Sequence, residues 1–466
     1  MRVMPHVRKL WLVAVTLSVA AMGAAVERAW LTVHLGSERI GYAWYETVLP
    51  RSAGTIEESE VVLDTKALGD PIKLRAFTRV RYGGDRELME GEYRTESGGR
   101  ISTVQIEREG STLVVKANSA GRPQQMRLEL TPNLPFTSDA VNYLIALKER
   151  PERMKVQTFD ATTLTMVQVE VIDRGPVTLE DGGRTVPAHR YDVEDPRSPT
   201  QVFVSPEGKF LLSRGPLGMT MRPATEEEAK RPVTGGPSDI ADLSTIVPNR
   251  PLQGRPDQPL TLRFVGLARD LPSDKHQTVN REGRDVVVTI HPLRPSGRLL
   301  LTEVRGQDEW RGPAPFLPAE NPEIRLRARM AMGRLTDVHE VAQALRMDVY
   351  RRMRVNAGIG VLRPADEILD APEGVCRDHA ILLATMLRAV GYASRLVSGM
   401  VESQGRFYYH AWVEYWDGKD WIAMDSTRPE SQLTSRHIKI AHGSVADAYQ
   451  SFLLAPERLE VVKEGA

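Results

Sequence analysis

The sequence predicts an α+β protein in which antiparallel β-rich amino-terminal modules precede a mixed carboxy-terminal domain built on one buried helix and an antiparallel hairpin. Three observations carry this expectation. Short alternating apolar runs broken by turn residues fill the chain from Glu27 to about Arg231. An apolar run from Ala380 to Val390 follows the only cysteine, Cys376, and ends at Gly391, a usual helix stop. Two aromatic and β-branched runs flank Asp417-Gly418, a strong hairpin signal.

The 466 residues suit about two to four domains. Their 41% hydrophobic content is enough for packed cores, which must supply the stability because one cysteine cannot form an intrachain disulfide. Lys and Arg total 61, as do Asp and Glu, so no single-sign field exists to hold nucleic acid or a membrane surface.

At the amino end, Arg2, Arg8 and Lys9 precede the apolar stretch Leu10 to Ala21 and the small residues Gly23-Ala24-Ala25. Residues 1–25 therefore read as a secretory signal peptide, and the mature protein as periplasmic or secreted. Leu10 to Val26 is short for a bilayer span of ~20 residues, and no later segment reads as transmembrane.

Residues 27–235 read as an antiparallel β-rich domain, with strands at Thr103 to Ile106, Leu113 to Val115 and Val167 to Ile172. A further hairpin joins Val202-Phe203-Val204 to Phe210-Leu211-Leu212 across Pro206-Glu207-Gly208. One helix, capped by Ser138 and running Ala140 to Leu147, covers part of this sheet. The stretches Gly36 to Tyr45 and Gly208 to Glu228 resemble the curved sheets of periplasmic lipid or lipoprotein carriers.

A Pro- and Gly-rich loop, Pro232 to Pro259, leads to strands at Leu260 to Val265 and Val286 to Ile290, so 238–320 reads as a small β module. Pro313, Pro315, Pro318 and Pro322 close it. Residues 321–466 form the last domain. Its helix begins at Thr336 or Asp337, with Asp337 and Glu340 in capping-box spacing and an apolar face of Val338, Val341, Leu345, Val349 and Met353.

Cys376 opens the buried helix, where unpaired N–H groups and the positive end of the dipole favour a thiolate. A two-residue turn at Asp417-Gly418 pairs Trp416 with Lys419, Glu414 with Trp421, Trp412 with Ala423, and His410 with Asp425. The last pair then has Cβ atoms roughly 4.5–5.5 Å apart, within reach of an imidazole-carboxylate hydrogen bond. A slip of one residue turns one partner to the opposite face. Cys376, His410 and Asp425 together supply a nucleophile, a base and a group to orient that base, as covalent acyl transfer requires.

Four blocks occur in order: Gly374-Val375-Cys376-Arg377-Asp378-His379-Ala380, Leu387 to Gly399, His410-Ala411-Trp412-Val413-Glu414, and Trp421 to Thr427. Over about 325 to 445 they resemble the transglutaminase-like superfamily, with Ser426 where many relatives have Pro. The resemblance implies a papain-like core in which the Cys helix packs on an antiparallel sheet carrying His and Asp. It carries the catalytic roles onto Cys376, His410 and Asp425. The family includes transglutaminases, peptidases, amidases and members that have lost activity, so the resemblance alone does not choose a substrate; the expected function is a hydrolase or acyltransferase acting on amide bonds of a protein or peptide substrate through a thioester, and no cofactor is expected.

Other readings of the same residues stand beside this one. Cys376, His379, His410 and Asp425 offer a zinc-ligating set. An inert core cysteine, or a peptide-binding scaffold with a vestigial triad, fits the same positions. Trp412, Trp416 and Trp421 suit either core packing or an acyl groove, Arg388 and Arg395 read as partners of internal carboxylates, and His437 and His442 carry no role.

Overall fold

The computed structural model describes residues 28–465 apart from 49–53, 68–69, 85, 148, 182, 234–238, 240–244, 294, 296, 430–432, 451–453 and 455. The expected signal peptide lies outside the described residues. The described residues form two compact units, one comprising 245–357 with 362–465, the other comprising 28–239 with 358–361.

The amino-terminal unit is an antiparallel sheet of fourteen strands among the described residues. Strand Ala29–Leu35 pairs on one side with Glu38–Val48, beginning a meander that continues to Arg122–Glu129. On its other side it pairs with Met219–Ala224, from which the order runs back to Arg153–Asp160. Period-two alternation buries Leu31, Val33 and Leu35 from the first strand, as half-buried strands require. The expected hairpin is present as Thr200–Val204 and Phe210–Arg214, with Phe203 opposite Leu212. The helix is shorter than expected, Ala140–Ile145, and its cap is Asp139, whose side chain accepts from the Asn142 N–H. Ser138 is not the cap because its hydroxyl bonds Glu57 and Tyr82 instead.

The carboxy-terminal unit holds two four-stranded antiparallel sheets. In one the strand order is Gln277–Glu282, Asp285–Ile290, Leu260–Val265 and Arg458–Glu464. The strands expected as a separate 238–320 module therefore share a sheet with a strand from the far end of the expected catalytic domain. Leu262 pairs with Val461 and Phe264 with Leu459. Composition marked a Pro-rich break near 320, but a non-local ladder crosses it.

The second sheet runs Trp421–Met424, Arg406–Trp416, Ser394–Ser403 and His437–Gly443. Beneath it lies helix Cys376–Ala389, which contacts strands Arg406–Trp416 and Ser394–Ser403 and three further helices, Pro322–Met332, Val338–Arg352 and Ala365–Asp370. Every residue from Cys376 to Arg388 is buried, which explains an apolar pattern without a polar stripe. Helix Val338–Arg352 starts where expected, with the Asp337 carboxylate accepting from the His339 and Glu340 N–H groups. Helix Pro322–Met332 was not expected, although Asn321 caps it and Pro322 occupies its first turn, both ordinary start signals.

Arg388 departs from expectation. Its buried guanidinium donates to the Ser394 and Gly312 carbonyls rather than to a carboxylate, and burial lowers its pKa to about 10. Arg395 does meet a carboxylate, Glu414, at 2.8 Å.

Candidate active site

The turn ahead of the cysteine helix is built around one carboxylate. Asp378, in the first helical turn, accepts the Val375 N–H at 2.9 Å through Oδ2, satisfying a donor that the helix leaves over. Its Oδ1 accepts from Arg363 Nε at 3.1 Å and Nη2 at 3.0 Å, and neither side chain has any exposed surface. Gly374 has φ +141°, and a Cβ there would stand 2.5 Å from the Asp378 carboxylate. The glycine two places before Cys376 thus leaves room for the carboxylate two places after it, and Cys376 is held as the first helical residue, fully buried.

The hairpin differs from the expected two-residue turn. Asp417 accepts the Lys419 and Asp420 N–H groups through its side chain, which makes a four-residue connection of residues 417–420. Trp416 pairs with Trp421 and Glu414 with Ala423, so the ladder is displaced by two residues from the expected register. His410 and Asp425 are therefore not directly opposed, and the ladder stops at Met424. An even displacement keeps side-chain parity, so both still reach the same face. There His410 Nε2 and Asp425 Oδ2 are 2.7 Å apart, with the ring and carboxylate almost wholly buried.

The surroundings of Asp425 fix its carboxylate. Oδ1 accepts the Thr427 N–H at 2.8 Å and the Thr427 hydroxyl at 2.6 Å. Arg346, buried in helix Val338–Arg352, donates to the main-chain carbonyls of Asp425, Arg428 and Pro429, clamping the turn that carries the acid. His379 Nδ1 donates to the Ser426 carbonyl at 2.9 Å, tying the cysteine helix to the same turn. Neither Arg346 nor that carbonyl contact was visible in the sequence, because each depends on a partner about 50 to 80 positions away.

Trp412 is buried core rather than an open groove. Its indole lies over Gly399, where a Cβ would come within 2.3 Å of the ring and 2.1 Å of the Ile438 carbonyl oxygen. Below this layer a buried charge network joins the strands. Arg395 pairs with Glu414 at 2.7 Å, and the fully buried Lys439 ammonium bonds both Glu414 and Asp274.

His437, to which the sequence gave no role, stands beside the acid. Its Nε2 is 3.9 Å from Asp425 Oδ2, and its ring centroid is 6.2 Å from that of His410. Burial lowers its pKa, opposed by Asp425. Its backbone neighbours explain its placement, since Val401 pairs with His437 and Met400 with Ile438. The ligand atoms of His410, Asp425 and His437 lie within 4.8 Å of one another, so these residues, rather than the set with His379, are the ones that could hold a metal ion. However, two ligand atoms on a tetrahedral zinc sit about 3.3 Å apart, and the 2.7 Å between His410 and Asp425 is hydrogen-bond spacing.

Residues 325–426 match the transglutaminase-like superfamily, and residues 50–214 match a domain of unknown function, DUF6134. Residues 325–426 are thus a transglutaminase-like region within the carboxy-terminal unit. A curated relative, protein-glutamine gamma-glutamyltransferase of Pseudomonas aeruginosa, is 29% identical over 120 residues, covering 22% of this chain and 18% of that protein. The chain therefore spans less than a fifth of that relative's length. Among solved structures, a Cytophaga hutchinsonii protein described as a cysteine protease shares 17% identity over 44% of this chain and 84% of its own, with a TM-score of 0.31. A β-barrel-like protein of domain of unknown function DUF1849 from Brucella abortus shares 14% identity over 42% of this chain and 93% of its own, with a TM-score of 0.33. No helix among the described residues is long and apolar enough to cross a membrane.

Proposed function

We propose that this protein is an exported thiol enzyme that cleaves or exchanges amide bonds of a protein or peptide substrate through Cys376, His410 and Asp425. The observation that carries the reading is the buried 2.7 Å contact between His410 Nε2, on a strand packed against the helix that Cys376 opens, and Asp425 Oδ2, in the turn just past strand Trp421–Met424. That arrangement corresponds to a papain-like core, with the cysteine helix on the sheet bearing the base and the acid.

In the first step the Cys376 sulfur, as thiolate, forms a bond to the amide carbonyl carbon and the carbonyl oxygen takes the negative charge. The Cys376 backbone N–H, at a helix N-terminus, is suited to stabilise that oxygen. With Nε2 on Asp425, His410 gives its Nδ1 proton to the leaving amine as the C–N bond breaks. A thioester remains on Cys376. Water or a second amine then attacks it, His410 takes the proton from the attacking group, and the thiolate is released. Asp425 stabilises the imidazolium whenever it is present, before the amine leaves and after the second attack.

The test is alkylation of the folded protein by iodoacetamide, a reagent small enough for a buried thiol, with peptide mapping of the product. Modification of Cys376 is expected well below pH 8, since an activated thiolate has a pKa under the ordinary ~8.5. His410→Ala is expected to slow it. A thiol that reacts only after denaturation overturns the reading and marks Cys376 as inert core.

A further inference from the structure

The second histidine at the acid has a defined tautomer. The Thr434 N–H and the Thr434 hydroxyl each lie 3.4 Å from His437 Nδ1; the hydroxyl can donate or accept but a main-chain N–H can only donate, and both contacts are met at once when Nδ1 is the acceptor. A neutral ring that accepts at Nδ1 carries its proton on Nε2. Nε2 is buried, makes no hydrogen bond among the described residues, and is 3.9 Å from Asp425 Oδ2, the same oxygen that His410 engages. The ring is held edge-on by Trp412, with centroids 5.6 Å apart and planes at 86°. Its main-chain carbonyl faces His276 Nε2 at 3.2 Å.

Two groups thus flank that carboxylate oxygen opposite His410. Arg428 Nε is 3.8 Å away on a side chain 37% exposed, while His437 is 2% exposed. A buried arginine against the acid would neutralise the charge that the imidazolium of His410 needs. A neutral N–H restrains the oxygen and leaves its charge in place. The same tautomer disfavours a resident metal at Nε2, because the ion would have to displace the proton that Thr434 fixes there.

Resting on the thiol-enzyme reading above, we infer that His437 is a positioning residue: its Nε2–H closes on Asp425 Oδ2 as charge develops on His410, and keeps the carboxylate in line with the His410 ring. His437 acts through Asp425 and touches no reacting atom.

Two measurements test this. In the first, ¹⁵N spectra of the histidine-labelled, unsubstituted protein are expected to show His437 as the neutral Nε2–H tautomer at neutral pH; an Nδ1–H tautomer or a charged ring overturns the inference. In the second, the rate of Cys376 alkylation is compared among variants that retain the unsubstituted protein's melting temperature. His437→Phe keeps the aromatic contact with Trp412 but loses the donor, and is expected to slow alkylation about threefold to tenfold, the range of one neutral hydrogen bond. His437→Gln, which restores an N–H near the Nε2 position, is expected to recover most of the rate. Equal rates for His437→Phe and the unsubstituted protein, with His410→Ala still slow, overturn the positioning role alone. If His410→Ala is not slow either, the triad itself fails.

Discussion

Asp378→Ala is the most informative single perturbation of the site's scaffold. In the folded protein Asp378 is the charged partner of Arg363, at 3.0 and 3.1 Å, with both side chains fully buried. Removing one member of such a pair costs about 3–5 kcal/mol, because the remaining charge stays in a dry environment. Arg363 retains its bonds to the Ala371 and Glu373 carbonyls, which places the expectation near the middle of that range. The lost bond to the Val375 N–H belongs to the same event and is not added. At a urea m-value of about 2 kcal/mol per molar, a loss of about 4 kcal/mol moves the midpoint of the carboxy-terminal unit by about 2 M. Tryptophan fluorescence reports this, since Trp310, Trp412, Trp416 and Trp421 belong to that unit. Asp378→Asn keeps one oxygen to accept the Val375 N–H but turns its NH2 donors toward the Arg363 guanidinium, so its shift is expected to be close to that of Asp378→Ala. A shift under about 0.5 M for Asp378→Ala would refute the reasoning, because it would mean that Arg363 is hydrated without its partner.

Gly399→Ala is expected to destabilise the same unit by about 1–3 kcal/mol in thermal melts, since the new methyl overlaps the Trp412 ring and the Ile438 carbonyl; a neutral result would mean the indole can move aside. Stability of the unit is expected to fall as pH drops below about 6.5. Burial depresses the pKa of His437, and burial with Lys439 depresses that of His276, so the unfolded chain binds more protons across that window. Urea midpoints between pH 7 and 5 check this, and His276→Gln should flatten the slope. A fragment beginning near residue 320 is expected to expose the edge of strand Arg458–Glu464 and to aggregate, whereas one beginning near 245 keeps its partner Leu260–Val265; size-exclusion chromatography distinguishes the two.

Local pattern made much of the fold legible. The alternating strands, the start of helix Val338–Arg352 and the cysteine helix follow from periodicity and capping residues within a few positions of one another. A two-residue turn misplaces the register, yet His410 and Asp425 still meet, for a physical reason. Asp417 folds its side chain over the Lys419 and Asp420 amides, which lengthens the turn by two residues, and a displacement of two leaves side-chain parity intact. What stayed hidden is what distance in sequence hides. His437 meets Asp425 only because its strand docks on Val401 and Met400, and Arg346 reaches the same turn from a helix whose pattern looks like ordinary core. The strand at Arg458–Glu464 has no local cue to its partner at all.

That last pairing bears on how the protein comes to exist. Arg263 lies opposite Glu460, and between them along the chain come the cysteine helix, the strand that bears the candidate base and the turn that bears the acid. Closing so long a segment carries an entropic cost that local contacts cannot offset early, so assembly of this unit is expected to be slow. During synthesis, the strand at Leu260–Val265 has to wait with one edge bare while everything up to residue 464 is made. Cys376 and His410 thus lie inside the segment that this last ladder closes, although the elements packed on the cysteine helix all lie between residues 322 and 416.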